Sequence, residues 1–104
     1  MEAGGGNSPY AAVYRSRLKT AIANAPRSLG SELGRKAIVL NLSVIRIAKA
    51  TGATRQTVYN WFTGAADVSP AYEEKARALF KIMAQANTAE EAWTKACQIF
   101  QLHT

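Results

Sequence analysis

Side chains able to do chemistry at neutral pH are concentrated, in this sequence, in one run of cations. Arg15, Arg17, Lys19, Arg27, Arg35, Lys36, Arg46, Lys49 and Arg55 fall in a stretch whose only acid is Glu32, while the rest of the chain is slightly acidic. That stretch holds the excess behind a formal net charge of +6. Lys and Arg opposite phosphates gain affinity by displacing condensed counterions, so the block points to a polyanion as partner. A solvated basic face would carry the same charge, and charge alone does not separate the two.

The means for catalysis are thin. Cys97 is the only cysteine and His103, beside the terminus, the only histidine, so no disulfide can form and no Cys/His set has metal-ligand spacing. No glycine-rich loop could cradle a phosphate, and the acids are scattered over solvent faces. The chain therefore reads as a non-enzyme with no metal, no cofactor and no small-molecule ligand. Cys97 is expected as a small buried hydrophobe, and His103 at the surface. The start of the chain lacks the apolar core of a signal peptide, and no apolar stretch approaches the roughly 20 residues that span a bilayer. A soluble, cytoplasmic, nucleoid-associated protein with no membrane contact is the expectation.

With 104 residues the chain has the size of one domain, and its wealth of Ala, Leu, Lys and Arg favours helices over strands. Residues 1–7, with three consecutive glycines, are expected to form a flexible arm, and residues 8–104 a single helical domain. Ser8 and Pro9 read as an N-cap and first helical residue, opening a helix that carries Ala11, Tyr14, Leu18, Ala21, Ile22 and Ala25 on one face until Pro26 stops it. A connector to Gly30 precedes a second helix over Ser31 to Leu40, with Leu33, Ala37 and Leu40 inward. Asn41 and Leu42 turn the chain, and Ser43 caps a third helix.

C-terminal helices are expected over 69–102. Ser69 and Pro70 repeat the cap signature before a stripe of Tyr72, Ala76, Leu79, Phe80 and Met83, with Glu73 and Arg77 paired on the wet side. Thr88 and Glu91 form a capping box for a last helix with Ala92, Trp93, Ala96, Cys97 and Phe100 on one face. The fold class is all-α, a compact bundle of about five or six helices.

Between these parts lies a segment built for two short helices meeting at a sharp turn, residues 43–63 with Leu42 and Gly64 at its borders. Ala48 sits where such helices approach most closely. Gly52 supplies the left-handed residue that ends the first, Thr54 caps the second, and Gly64 can end it. Ile47, Val58 and Trp61 fall on the inner faces as a shared core, while Phe62 suits either that core or a dimer contact.

This spacing resembles the helix-turn-helix of the Cro and phage-repressor superfamily, and the run Gly-Ala-Thr-Arg-Gln-Thr-Val resembles the LacI-type headpiece. The resemblance implies a second helix, starting at Thr54, that reads the major groove of double-stranded DNA. Base-reading positions then correspond to Thr54, Arg55, Gln56, Tyr59 and Asn60. Their chemistry suits base edges, since Arg bonds guanine bidentately, Gln or Asn bonds adenine, and a Thr methyl touches thymine. Ser43, Arg46, Lys49, Arg35, Lys36 and Thr57 are the candidate phosphate contacts.

The implied function is sequence-specific DNA binding by a small prokaryotic or phage transcriptional regulator, a repressor. One short helix gives modest specificity, so a homodimer reading half-sites about 34 Å apart is expected, with the C-terminal helices as its surface. A second reading stays open, in which the same helices grip another protein, as in an antitoxin, antirepressor or assembly factor. The chain departs from the family at Val44 and Ile45, where a polar, phosphate-bonding residue is usual, and at Thr51 and Ala53, smaller or more polar than the usual aliphatics. The Tyr14, Leu18 and Ile22 stripe is expected to cover Ile45.

Overall fold

Short hydroxyl side chains open most of the helices, because a Ser or Thr oxygen can accept from the backbone N–H groups that a helix leaves unpaired at its start. The computed structural model describes residues 13–102 and is all-α, with α1 (Ser16–Asn24), α2 (Leu29–Leu40), α3 (Val44–Thr51), α4 (Arg55–Thr63), α5 (Pro70–Gln85) and α6 (Ala89–Phe100). Among the described residues there is no strand. Ser43 caps α3 by accepting from Arg46 N at 3.2 Å, and Thr54 caps α4 by accepting from Thr57 N at 3.1 Å.

Several boundaries differ from the sequence reading, each for a local reason. The expected start at Ser8 and Pro9 lies outside the described residues. Helix α1 begins only at Ser16, and Tyr14 precedes it in non-helical chain, its hydroxyl donating to the Leu42 carbonyl. Helix α2 starts at Leu29, so the supposed connector is already helical. The cause is a reciprocal cap: Ser28 Oγ accepts from Ser31 N at 3.1 Å and Ser31 Oγ accepts from Ser28 N at 3.0 Å. Ser69 makes no side-chain cap bond, and Pro70 alone marks that start. Thr88 accepts from Glu91 N at 3.1 Å as expected, but the Glu91 carboxylate accepts from Asn87 N at 2.5 Å, one residue before the cap.

One hydrophobic cluster draws on every helix. Ile22, Leu33, Ala37, Ile47, Val58, Phe62, Leu79, Met83, Ala92 and Ala96 are fully buried, and Trp61 nearly so. Helix α2 is central, packing on α4 and α5, while α3 packs on α4, α5 and α6. Two glycines let α2 and α4 approach: a Cβ at Gly30 would stand 2.6 Å from the Trp61 carbonyl oxygen, and one at Gly34 2.8 Å from Phe62 Cγ. The Phe62 alternative thus resolves to core. Tyr72 joins α5 to α4, its ring centroid 5.6 Å from that of Trp61.

Helix α1 belongs to the core through Ile22, with Tyr14 and Leu18 packed against the same cluster. Its principal packing is on α2 and α4, Ala21 is exposed, and Ile45 stays half-buried. Val44, by contrast, is buried in the common cluster, which accounts for an aliphatic residue there. No helix among the described residues is long and apolar enough to cross a membrane.

Candidate nucleic-acid interface

Helix α4 has one face locked in the core and one in solvent. Val58, Trp61 and Phe62 are buried, whereas Thr54, Arg55, Gln56 and Tyr59 are exposed and Thr57 and Asn60 half-buried. The turn before it consists of Gly52, Ala53 and Thr54. Gly52 has φ of +82°, and a Cβ there would meet nothing within 4 Å, so backbone conformation and not space calls for glycine. The fixed inner face means that the outer side chains are presented by a rigid element.

The chemistry of that face is hydrogen bonding with positive charge. Thr54 Oγ1 accepts from Thr57 N and donates to Thr57 Oγ1 at 2.9 Å, so both hydroxyls are tied into the cap. Gln56 Nε2 donates to Asn60 Oδ1 at 3.1 Å, one turn along the same face. This leaves Gln56 its carbonyl oxygen and one N–H, the donor and acceptor pair that adenine requires. No acid occupies the first turn of α4, where the helix dipole already favours an anion, and Arg55 adds its charge there. Lys49 on α3 and Arg55 border the same shallow hollow, floored by Ile45, Ala48, Gly52 and Ala53.

The candidate phosphate contacts scatter. Arg46 is internal, 8 % exposed, with its guanidinium 2.7 Å from Glu90 Oε2 and 5.1 Å above the Trp93 ring centroid. Its expected phosphate role is corrected on that ground, because opposite charge and an aromatic face already hold it against α6. Arg35 is likewise structural: it donates to Glu32 at 2.7 Å and to the carbonyls of Ala25 at 2.7 Å and Ala23 at 3.3 Å, tying α2 to the end of α1. Ser43 is buried as the α3 cap, and Lys36 is half-buried on α2. Of the cations, Lys49 and Arg55 are brought together by the structure.

Tyr14 is a residue that sequence reasoning misses. Burial holds its phenol well above the ordinary range, and nearby Tyr59 adds to the shift. It therefore stays protonated and donates to Leu42, bracing the entry to α3 beside the outer face of α4. Nothing local in the sequence marks this role, since residue 14 also fits a helical stripe. Among the described residues no group of His, Cys, Asp or Glu could hold a metal ion. The chain matches no family model, no curated protein and no solved structure.

Proposed function

We propose that the chain binds double-stranded DNA sequence-specifically by laying the outer face of α4 in the major groove, as a small cytoplasmic, nucleoid-associated transcriptional regulator of prokaryotic or phage type, a repressor and not an enzyme. One observation carries the reading: Arg55, Gln56 and Tyr59 stand exposed together on a capped helix whose opposite face is immobilised by Val58, Trp61 and Phe62. A short rigid helix bearing forked and amide side chains at its start has the geometry that base edges require. Lys49 supplies a positive charge at its flank for the backbone.

The test is selection of bound sequences from a random duplex pool, followed by a salt titration of the winning site. A preferred sequence should emerge, and log K should fall linearly with log salt, by about 0.9 per neutralised phosphate. Affinity that is independent of salt, or a pool that never enriches, rejects sequence-specific DNA binding and leaves the protein-binding alternative.

A further inference from the structure

Helices α5 and α6, joined by the short connection of Ala86, Asn87 and Thr88, are the two walls of an open groove of about 780 Å³. That is the size of a site for a small organic molecule. Ala78, Ile82 and Ala86 recur every fourth residue on the α5 wall, an apolar strip about 12 Å long. Ile99 extends it from the α6 wall, with 51 % of its surface exposed.

Charge decides what fits. Glu90 and Glu91 line the groove beside the connection, but each is committed: Glu90 Oε2 lies 2.7 Å from the Arg46 guanidinium on α3, and Glu91 Oε1 is drawn back onto Asn87 N. Lys81 and Lys95 also line the groove and enter no ion pair among the described residues. Lys81 lies four residues before the end of α5 at Gln85, and Lys95 six residues after the start of α6 at Ala89. At about 1.5 Å per residue the two stand at similar depth on opposite walls, a pair of cations over an apolar floor without an anion to join them. Lysine stems lie along apolar surface while their ammonium groups reach water, so the charges sit at the rim and the strip below them is left to an apolar chain.

We propose that the groove binds a free monocarboxylate with an unbranched apolar chain, a medium-chain fatty acid, its carboxylate between Lys81 and Lys95 and its chain on Ala78, Ile82 and Ile99. A single negative charge suits the site better than a phosphate, because Glu90 and Glu91 nearby would repel a dianion. The groove is open and leaves part of the ligand wet, so the dissociation constant belongs in the micromolar to millimolar range. This goes beyond the DNA reading, does not depend on it, and sets aside the expectation of a chain without a small-molecule ligand.

Isothermal titration calorimetry of the full chain with octanoate, kept below the concentration at which it forms micelles, tests the proposal. Octanoate should bind saturably, one per chain, with the negative heat-capacity change that marks burial of its tail. Octanol, which has the tail without the charge, and acetate, which has the charge without the tail, should each bind about tenfold more weakly or worse, and octylamine should not bind. Lys81→Glu, Lys95→Glu and Ile99→Asp should each weaken octanoate by about tenfold, with circular dichroism unchanged because all three positions are exposed. Val39→Asp on α2, an aliphatic site outside the groove and 74 % exposed, should have no effect. Heat that never saturates, or an octanoate affinity untouched by both lysine reversals, would overturn the proposal. Octylamine binding as tightly as octanoate would overturn it too and give the groove to a cation held by Glu90 and Glu91. Retention on vesicles of anionic phospholipid without binding of free octanoate would do the same and make the lysines a membrane contact.

Discussion

The Cα of Gly30 sits so close to Trp61 that an added Cβ would lie 2.6 Å from the Trp61 carbonyl oxygen and 2.8 Å from its Cβ. The obstacle is mostly backbone, so it cannot rotate aside. Gly30→Ala should gain up to about 1 kcal/mol of helix propensity and still lose, because overpacking of this kind costs about 1 to 3 kcal/mol. Gly34→Ala meets the Phe62 side chain instead, at 2.8 Å from Cγ, and should cost less because a ring can shift. Urea unfolding of both variants checks the order, and a Gly30→Ala protein more stable than wild type would show that α2 and α4 can separate without penalty.

That glycine pair also shows where sequence reading reaches its limit. The caps at Ser43, Thr54 and Thr88, the left-handed Gly52 and the inward Trp61 are legible because each depends on neighbours within a few residues. Gly30, weighed by propensity alone, reads as a connector; the Ser28–Ser31 cap starts α2 ahead of it, and the close approach of Trp61, a partner distant in sequence, is what calls for glycine there. Arg46 is the same lesson for the site. In sequence it is one more cation in a basic run, and only the arrival of Glu90 and Trp93 on α6 turns it inward. The exposure of Arg55, Gln56 and Tyr59 is legible because the period of α4 fixes their face.

Arg46 should behave as a structural residue. Arg46→Ala should destabilise the fold by about 1 to 3 kcal/mol, through loss of the stem packing and of the contact over Trp93. Glu90→Gln should cost less than about 1 kcal/mol, because the carboxylate side is 78 % exposed and screened. Arg46→Lys keeps the charge and loses the planar stack, so it should fall between wild type and Ala. If Arg46→Lys or Arg46→Ala lowered the salt slope of DNA binding by about 1 with no change in stability, the residue would be a phosphate ligand after all.

On the proposed DNA face, readers and positioners should separate. Arg55→Ala and Gln56→Ala should each cost about 1 to 3 kcal/mol on the selected site and relax one base position. Lys49→Ala should weaken all sequences alike and reduce the salt slope by about 1. Gln56 and Asn60 share a hydrogen bond of 3.1 Å, so their effects should be non-additive by about 0.5 kcal/mol or more. Fluorescence anisotropy over a panel of mutated sites measures all four, and identical profiles for Arg55→Ala and Lys49→Ala would refute the division of roles.

Tyr14 gives a pH dependence whose sign follows from its burial. Its folded pKa lies above the unfolded value of about 10, so the native state keeps a proton that the unfolded state releases in alkali. The contribution is fully present below the unfolded pKa and falls as pH rises beyond it, since the unfolded chain then binds fewer protons. Tyr14→Phe keeps the ring and removes the donor to Leu42, leaving that carbonyl unpaired, at a cost of about 0.5 to 1.5 kcal/mol at neutral pH. The variant should also lack this part of the alkaline loss, so the two stability curves should converge between about pH 9 and pH 11. Denaturant titrations at several pH values measure the gap directly. A gap that stays constant across that range would mean that Tyr14 titrates like an exposed phenol, and that its hydroxyl does not brace the entry to α3.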